Sequence, residues 1–169
     1  MEIRDMVRSQ LGLATQVLGM TMADVTQATA DKSAGNLQSI GAIYAHAVAD
    51  LDFMTHAMVQ GKPLVLAQDG WAAKTGIPVP TSGLMTPEWL AGLKVDIAAA
   101  QEYAKAVIAA ADSALANLGD DVLNKEMDGP FGKTTGMGIL SGLAIYHISE
   151  HTGEIAALKG VLGGKGLPF

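Results

Sequence analysis

The sequence predicts an all-α protein, a four-helix bundle in which residues 1–169 form a single domain. Hydrophobic residues make up 49% of the chain and aromatic residues only 5%, a composition that favours helices over a β-sheet. Four long segments carry apolar residues three or four positions apart, the spacing of a helix with one buried face. A long irregular connection separates the second helix from the third.

The first two helices are bounded by clear breaks in the apolar pattern. The first is predicted over Ile3–Ala28 and ends at the polar stretch TADKSAGN. The second is predicted over Leu37–Gln60 and ends at residues 61–63, a Gly-Lys-Pro sequence that terminates helices strongly.

Residues 61–85 form the irregular connection, with three of the six prolines and four glycines. Connections of this length in compact domains often cover a functional site. The sequence therefore leaves two interpretations open. The segment either covers a binding pocket and selects its substrate, or it is a packed excursion anchored by Trp71.

The third helix has the clearest start in the chain. Thr86 is a good N-cap, Pro87 suits the first helical position, and Glu88 favours the positive end of the helix. Its apolar stripe extends to Leu118, and Gly119 is predicted to end it.

A short hairpin is possible between the third and fourth helices. Asp128 and Gly129 form a plausible tight turn there. Thr134 or Thr135 is then expected to cap the fourth helix.

Two histidines interrupt the apolar stripe of the fourth helix. His147 and His151 project within roughly 20° of the centre line of that stripe, one turn apart. Each would cost on the order of 1–3 kcal/mol if it were buried without a partner. Two imidazoles at positions i and i+4 can bind one metal ion, which would remove that cost.

A metal site needs at least one more protein ligand. His46 lies on the flank of the second helix, where neighbouring alanines leave room for another helix, so it is the expected third ligand. His56 projects from the other side of the same helix and is expected on the surface.

Two carboxylates lie one helical turn from these ligands. Glu154 follows His151 and Asp50 follows His46, so each is expected to support the site as a further ligand, a hydrogen-bond acceptor for an imidazole, or a base. A metal-free alternative stays open, in which hydrogen bonds to Gln101 or Glu154 stabilise the buried histidines.

Composition excludes several other classes of function. The net charge of −6, with scattered basic residues, argues against nucleic-acid binding. No apolar run is long enough for a membrane span, and no secretory signal is visible. The absence of cysteine excludes thiolate ligands and thiol nucleophiles from the chain, and it suits a cytoplasmic location.

The segments IYAHAVADLDF and IYHISEHTGEIAALKGVLGGKGLPF resemble the DinB superfamily of small four-helix-bundle proteins, including its YfiT-like and thiol-dependent transferase branches. The resemblance implies a down-up-up-down bundle and frequent homodimers. It also implies a divalent metal, zinc or nickel most often, held here by His46, His147 and His151. Despite the family's name, the resemblance implies no DNA binding.

Characterised members of the family include enzymes that use a low-molecular-weight thiol (mycothiol, bacillithiol or glutathione) as a cosubstrate, while many other members have no assigned activity. The resemblance therefore implies a metal-dependent enzyme, a thiol-dependent S-transferase or a hydrolase, that acts on a small-molecule substrate. The alternative is a non-catalytic metal-binding or scaffold bundle. The residues themselves do not select one metal, because three imidazoles suit zinc, nickel, copper and iron alike.

Overall fold

A computed structural model describes residues 3–80 and 85–169. Four long helices dominate it. The predicted fold class, an all-α helical bundle, is confirmed. These helices are α1 (Ile3–Met22), α3 (Ile40–Asp52), α6 (Ile97–Asn117) and α9 (Ile145–Val161). Among the described helices, none combines the length and hydropathy that a bilayer-spanning segment needs.

The four long helices occupy the corners of the bundle. Helix α1 packs against α6 and α9, and α3 packs against the same two helices. The first and second long helices, α1 and α3, therefore lie diagonally opposite each other, and so do the third and fourth, α6 and α9. The down-up-up-down order of chain directions stays a prediction. The interior is filled by one cluster of buried side chains that all four helices share, among them Leu18, Leu51, Val107 and Ile155.

The first predicted helix is shorter than expected. Helix α1 ends at Met22, and a separate helix α2 covers Gln27–Ala30. The hydroxyl of Thr26 accepts a hydrogen bond from the amide of Thr29 and caps α2. Threonine is more favourable as a cap than in the interior of a helix. Thr26 therefore begins a new helix, which the prediction from the apolar stripe alone did not take into account.

The second long helix begins at Ile40, three residues later than predicted, because Ser39 caps it by accepting from the amide of Ala42 at 3.2 Å. It continues beyond Asp52 as a π-helical turn over Phe53–Met58. A second π turn, Ile139–Ala144, leads into α9.

The described part of the irregular connection is packed rather than free. It contains a 3₁₀ turn, Val65–Ala67, and helix α4, Trp71–Thr75. The ring of Trp71 lies 6.0 Å from the ring of Tyr103 on α6, between centroids. For the described residues of this segment, 61–80 and 85, the contact supports the second interpretation, a packed excursion that is anchored by Trp71. The remainder of the predicted segment, residues 81–84, lies outside the described residues.

The third predicted helix is in fact two helices. Thr86 does cap a helix, since it accepts from the amide of Trp89 at 3.3 Å, but this helix, α5, covers only Pro87–Leu90. Gly92 then adopts a left-handed conformation with φ of 73°, and Asp96 caps α6 by accepting from the amide of Ala99 at 3.0 Å. The expectation of one continuous helix from Thr86 is therefore wrong.

A short helix and a hairpin precede the last helix. Helix α7 covers Asp120–Leu123, and strands β1 (Glu126–Gly129) and β2 (Gly132–Thr135) pair antiparallel. Gly129 pairs with Gly132, so the turn lies at residues 130–131 and not at Asp128 and Gly129 as predicted. Thr135 caps the three-residue helix α8, Gly136–Gly138, by accepting from the amide of Gly138 at 3.1 Å.

Candidate metal centre

The three histidines singled out in the sequence converge between α3 and α9. Helix α3 carries His46, and α9 carries His147 and His151 one turn apart. Helix α3 packs directly against α9, and α3 carries small buried side chains at Ala45 and Ala49.

The distances within this three-histidine cluster suit a shared ion. The ring centroids lie 4.8 Å apart for His46 and His147, 4.8 Å for His46 and His151, and 4.4 Å for His147 and His151. One nitrogen from each ring lies within 4.8 Å of the others. The rings meet edge to face, with interplanar angles between 70° and 82°.

The histidines are largely removed from solvent. Their side chains retain 14% to 16% of their exposure. Burial lowers the pKa of His46, and the nearby imidazoles of His147 and His151 lower it further, while the carboxylate of Asp50 opposes these effects. His46 is therefore uncharged at neutral pH, which is the form that binds a metal.

Asp50 lies beside the cluster on α3. Its Oδ2 is 3.1 Å from Nε2 of His147 and 3.6 Å from Nε2 of His46. Neither approach has hydrogen-bond geometry, so Nε2 of His147 has no hydrogen-bond partner among the described residues. The same holds for Nδ1 of His46 and Oδ1 of Asp50, which are also buried.

These unpartnered atoms provide the test of whether a metal fits. A buried imidazole nitrogen or carboxylate oxygen without a partner is costly, and a cation bound by the cluster would supply a partner that the described residues do not. Three histidine nitrogens and a carboxylate oxygen are ligands that zinc and other divalent transition metals accept. The residues present therefore fit a divalent metal ion.

Glu154 contacts the outer side of the cluster. Its Oε2 lies 2.8 Å from Nδ1 of His151, within hydrogen-bond distance. If Nδ1 carries the hydrogen and donates to Glu154, the lone pair of His151 lies on Nε2 and is free for a metal. Carboxylates commonly orient metal-binding histidines in this way.

Two expectations about other polar residues are wrong. His56 is not on the surface: it is 7% exposed, and its Nδ1 lies 2.9 Å from Oδ1 of Asp52. Gln101 does not contact the histidines, because its side-chain amide donates to the carbonyl of Met22 at 3.0 Å. The i, i+4 spacing of Asp52 and His56 was a sequence signal for their pairing, but helical angles alone could not anticipate the π turn that carries His56.

The chain is similar to known proteins over most of its length. The family model of the DinB superfamily matches residues 10–155. A solved structure of a conserved protein from Enterococcus faecalis has 21% sequence identity and a TM-score of 0.79, and the match covers 96% of this chain and 99% of that one. At this identity the likeness concerns the fold alone. No curated protein matches significantly.

Proposed function

Because the chain belongs to the DinB superfamily, we propose that it is a metal-dependent enzyme that acts on a small molecule, with His46, His147 and His151 as the metal ligands. The observation that carries the proposal is the convergence of three buried imidazoles from two helices, beside atoms that have no partner among the described residues. Zinc or nickel is the proposed metal.

A bound divalent ion supplies Lewis acidity, which lowers the pKa of water or of a small thiol near the site. The protein side chains have distinct parts in this proposal. Glu154 orients His151 through Nδ1. Asp50 lies beside the cluster through Oδ2, and its buried Oδ1 has no hydrogen-bond partner among the described residues, so this carboxylate can accept the proton released by the nucleophile.

The nucleophile is proposed to come from outside the chain. The chain contains no cysteine, so a thiol would have to be supplied by a low-molecular-weight cosubstrate. The proposed reaction is accordingly a thiol-dependent S-transfer, with hydrolysis as the variant in which water replaces the thiol. We further propose that the protein acts in the cytoplasm as a homodimer, without a nucleic-acid or membrane partner.

Metal analysis combined with a thiol-transfer screen tests the proposal. Protein purified without a histidine tag should contain close to one divalent ion per chain, and it should transfer glutathione, bacillithiol or mycothiol to an electrophilic acceptor. The double variant His147→Ala/His151→Ala should lose both the metal and the transfer. The variant Glu150→Gln, which changes an exposed residue of the same helix, should retain both. Full metal content in the double variant would contradict the ligand assignment.

A scaffold function is the second candidate, and the position of Asp50 favours it. An oxygen 3.1 Å from Nε2 of His147 could become a fourth ligand and close the coordination shell. Substitution with cobalt(II) separates the two candidates. A visible spectrum that changes when azide is added indicates an open position and an enzyme, whereas a tetrahedral spectrum insensitive to azide indicates a structural metal.

A further inference from the structure

A second cluster of titratable groups lies outside the three-histidine cluster, at the end of α3. The side chain of Asp52 is fully buried, with 0% exposure. Its Oδ1 accepts from the amide of Val65 at 3.0 Å, and its Oδ2 accepts from the amide of Leu66 at 2.9 Å and from the hydroxyl of Tyr103 at 2.8 Å. Asp52 is therefore held rigidly by three elements of the fold.

The hydrogen bonds of His56 define which ring nitrogen is free. Nδ1 has hydrogen-bond geometry toward the carbonyl of Asp52 at 3.3 Å and toward Oγ1 of Thr55 at 3.1 Å, and it also lies 2.9 Å from Oδ1 of Asp52. Carbonyl and carboxylate oxygens only accept, and Thr55 already donates its hydroxyl hydrogen to the carbonyl of Leu51 at 2.7 Å, so every neighbour of Nδ1 can only accept. Nδ1 must therefore carry the hydrogen, and neutral His56 has an unprotonated Nε2.

Nε2 of His56 has no hydrogen-bond partner among the described residues, although the whole residue is only 7% exposed. The Nε2 atom itself is not completely buried and keeps some contact with solvent. His56 lines a cavity of about 660 Å³ between the end of the second long helix, residues 62–68 and the C-terminal half of α6. Since Nδ1 is turned inward to Asp52, the edge with Nε2 is the part of the ring that remains to face this cavity.

The charge around this cavity is positive only. Lys62 is the only charged residue among the described residues that line it, and no carboxylate is present there to neutralise the ammonium group. The amide of Lys62 donates to the carbonyl of His56 at 3.0 Å, which keeps the two residues adjacent. The remaining lining combines apolar side chains such as Val65 and Leu118 with uncharged polar ones.

We propose that this cavity is a second small-molecule site, which binds an organic acid that also carries a hydroxyl or amide N–H group. Nε2 of His56 accepts a hydrogen bond from that donor, and Lys62 pairs with the carboxylate. The cavity has the size of small-molecule sites in general, and it shares no lining residue with the metal centre. The proposal does not depend on the proposed enzymatic function.

The test uses imidazole ¹⁵N spectra of the protein as purified and N-acetylserine as the probe. The free protein should show His56 with its hydrogen on Nδ1, and N-acetylserine should shift the His56 signals saturably. The methyl ester of the probe, which lacks the carboxylate, should bind about tenfold more weakly or worse. A hydrogen on Nε2, or the absence of a saturable shift, would overturn the proposal.

Two variants complete the experiment. Lys62→Gln, a change at an exposed residue, should weaken binding of the acid about tenfold and leave binding of the ester unchanged. Lys125→Gln changes an exposed lysine that does not line the cavity and should have no effect on either probe. Equal binding of the acid by wild type and Lys62→Gln would also overturn the proposal, because Lys62 would then not pair with the carboxylate.

Discussion

The side chain of Glu154 contacts the three-histidine cluster as a hydrogen-bond acceptor, one of the parts expected for it from the sequence. It is partly exposed, yet its Oε2 lies 2.8 Å from Nδ1 of His151 and selects the tautomer whose other nitrogen is free. A carboxylate in this position also increases the basicity of the ligand.

The substitution Glu154→Gln should therefore weaken zinc binding by about 10- to 100-fold, the usual effect of losing such a partner. Competition with a chromophoric chelator measures the affinity. Glu150→Gln, four residues earlier on the exposed side of α9, is the matched control and should bind zinc like the wild type. Equal affinity in the Glu154→Gln and wild-type proteins would exclude an orienting part for Glu154.

The pH dependence of metal binding follows from the same side chains. Burial lowers the pKa of His46, so this imidazole stays uncharged to a lower pH than an exposed histidine. Protons compete with the metal only once the ligands begin to titrate. Zinc affinity should be nearly constant above about pH 7 and fall steeply below about pH 6. Titrations with the chelator at a series of pH values check this, and an affinity that stays constant down to about pH 5 would contradict binding through histidine.

At the scale of elements, Asp52 joins the second long helix to the connection that follows it. Its carboxylate accepts from two consecutive amides of the 3₁₀ turn, Val65 and Leu66, and from Tyr103 on α6. This explains why a connection rich in glycine and proline packs against the bundle.

Removing this carboxylate should be costly. Asp52→Ala leaves several buried donors without an acceptor and should lower the free energy of unfolding by about 3–5 kcal/mol. Tyr103→Phe removes only one of the donors and should cost about 1–2 kcal/mol. Urea denaturation measures both values. Similar stabilities for Asp52→Ala and the wild type would mean that the connection is held by its apolar contacts alone.

The boundaries of the elements show where sequence patterns were sufficient and where they were not. Thr86 was predicted as a cap from residue type and Thr135 as one of two candidates with Thr134, and Thr86 and Thr135 both accept capping hydrogen bonds. The apolar stripe from Leu90 to Leu118 suggested one helix because periodicity does not register a left-handed glycine such as Gly92 or a second cap such as Asp96. The helix boundaries are therefore set by local capping hydrogen bonds and not by the spacing of the apolar residues.

For the whole molecule, the histidine cluster joins two corners of the bundle. His46 belongs to α3, while His147 and His151 belong to α9, at the far end of the chain. A metal ion bound there would link segments that are about a hundred residues apart and would bind only the folded chain.

Removal of the metal should therefore lower the Tm. If zinc is present at about 100 times its Kd, it stabilises the fold by about 2.7 kcal/mol, which corresponds to a Tm shift of roughly 5–10 °C. Differential scanning calorimetry with and without chelator measures the shift. The double variant His147→Ala/His151→Ala should show no such response. A wild-type Tm that does not change when loss of the metal has been verified would contradict binding to the folded state.

The proximity of the three histidines was predictable because the i, i+4 pair and the alanine-rich flank around His46 are local patterns. The cavity beside His56 was not predictable in this way. It depends on the π turn at Phe53–Met58, on the path of residues 62–68 and on α6, and no single stretch of sequence encodes that combination.

The second π turn, at Ile139–Ala144, separates two parts of the chain that have different neighbours. A π turn contains one residue more than an α-turn, so it absorbs a rotation of about 100° without breaking the helix. The hairpin upstream and the histidines downstream can therefore be oriented independently of each other. In a lineage of related chains, gain or loss of one residue here would alter the hairpin while the spacing of the two imidazoles on α9 remained unchanged.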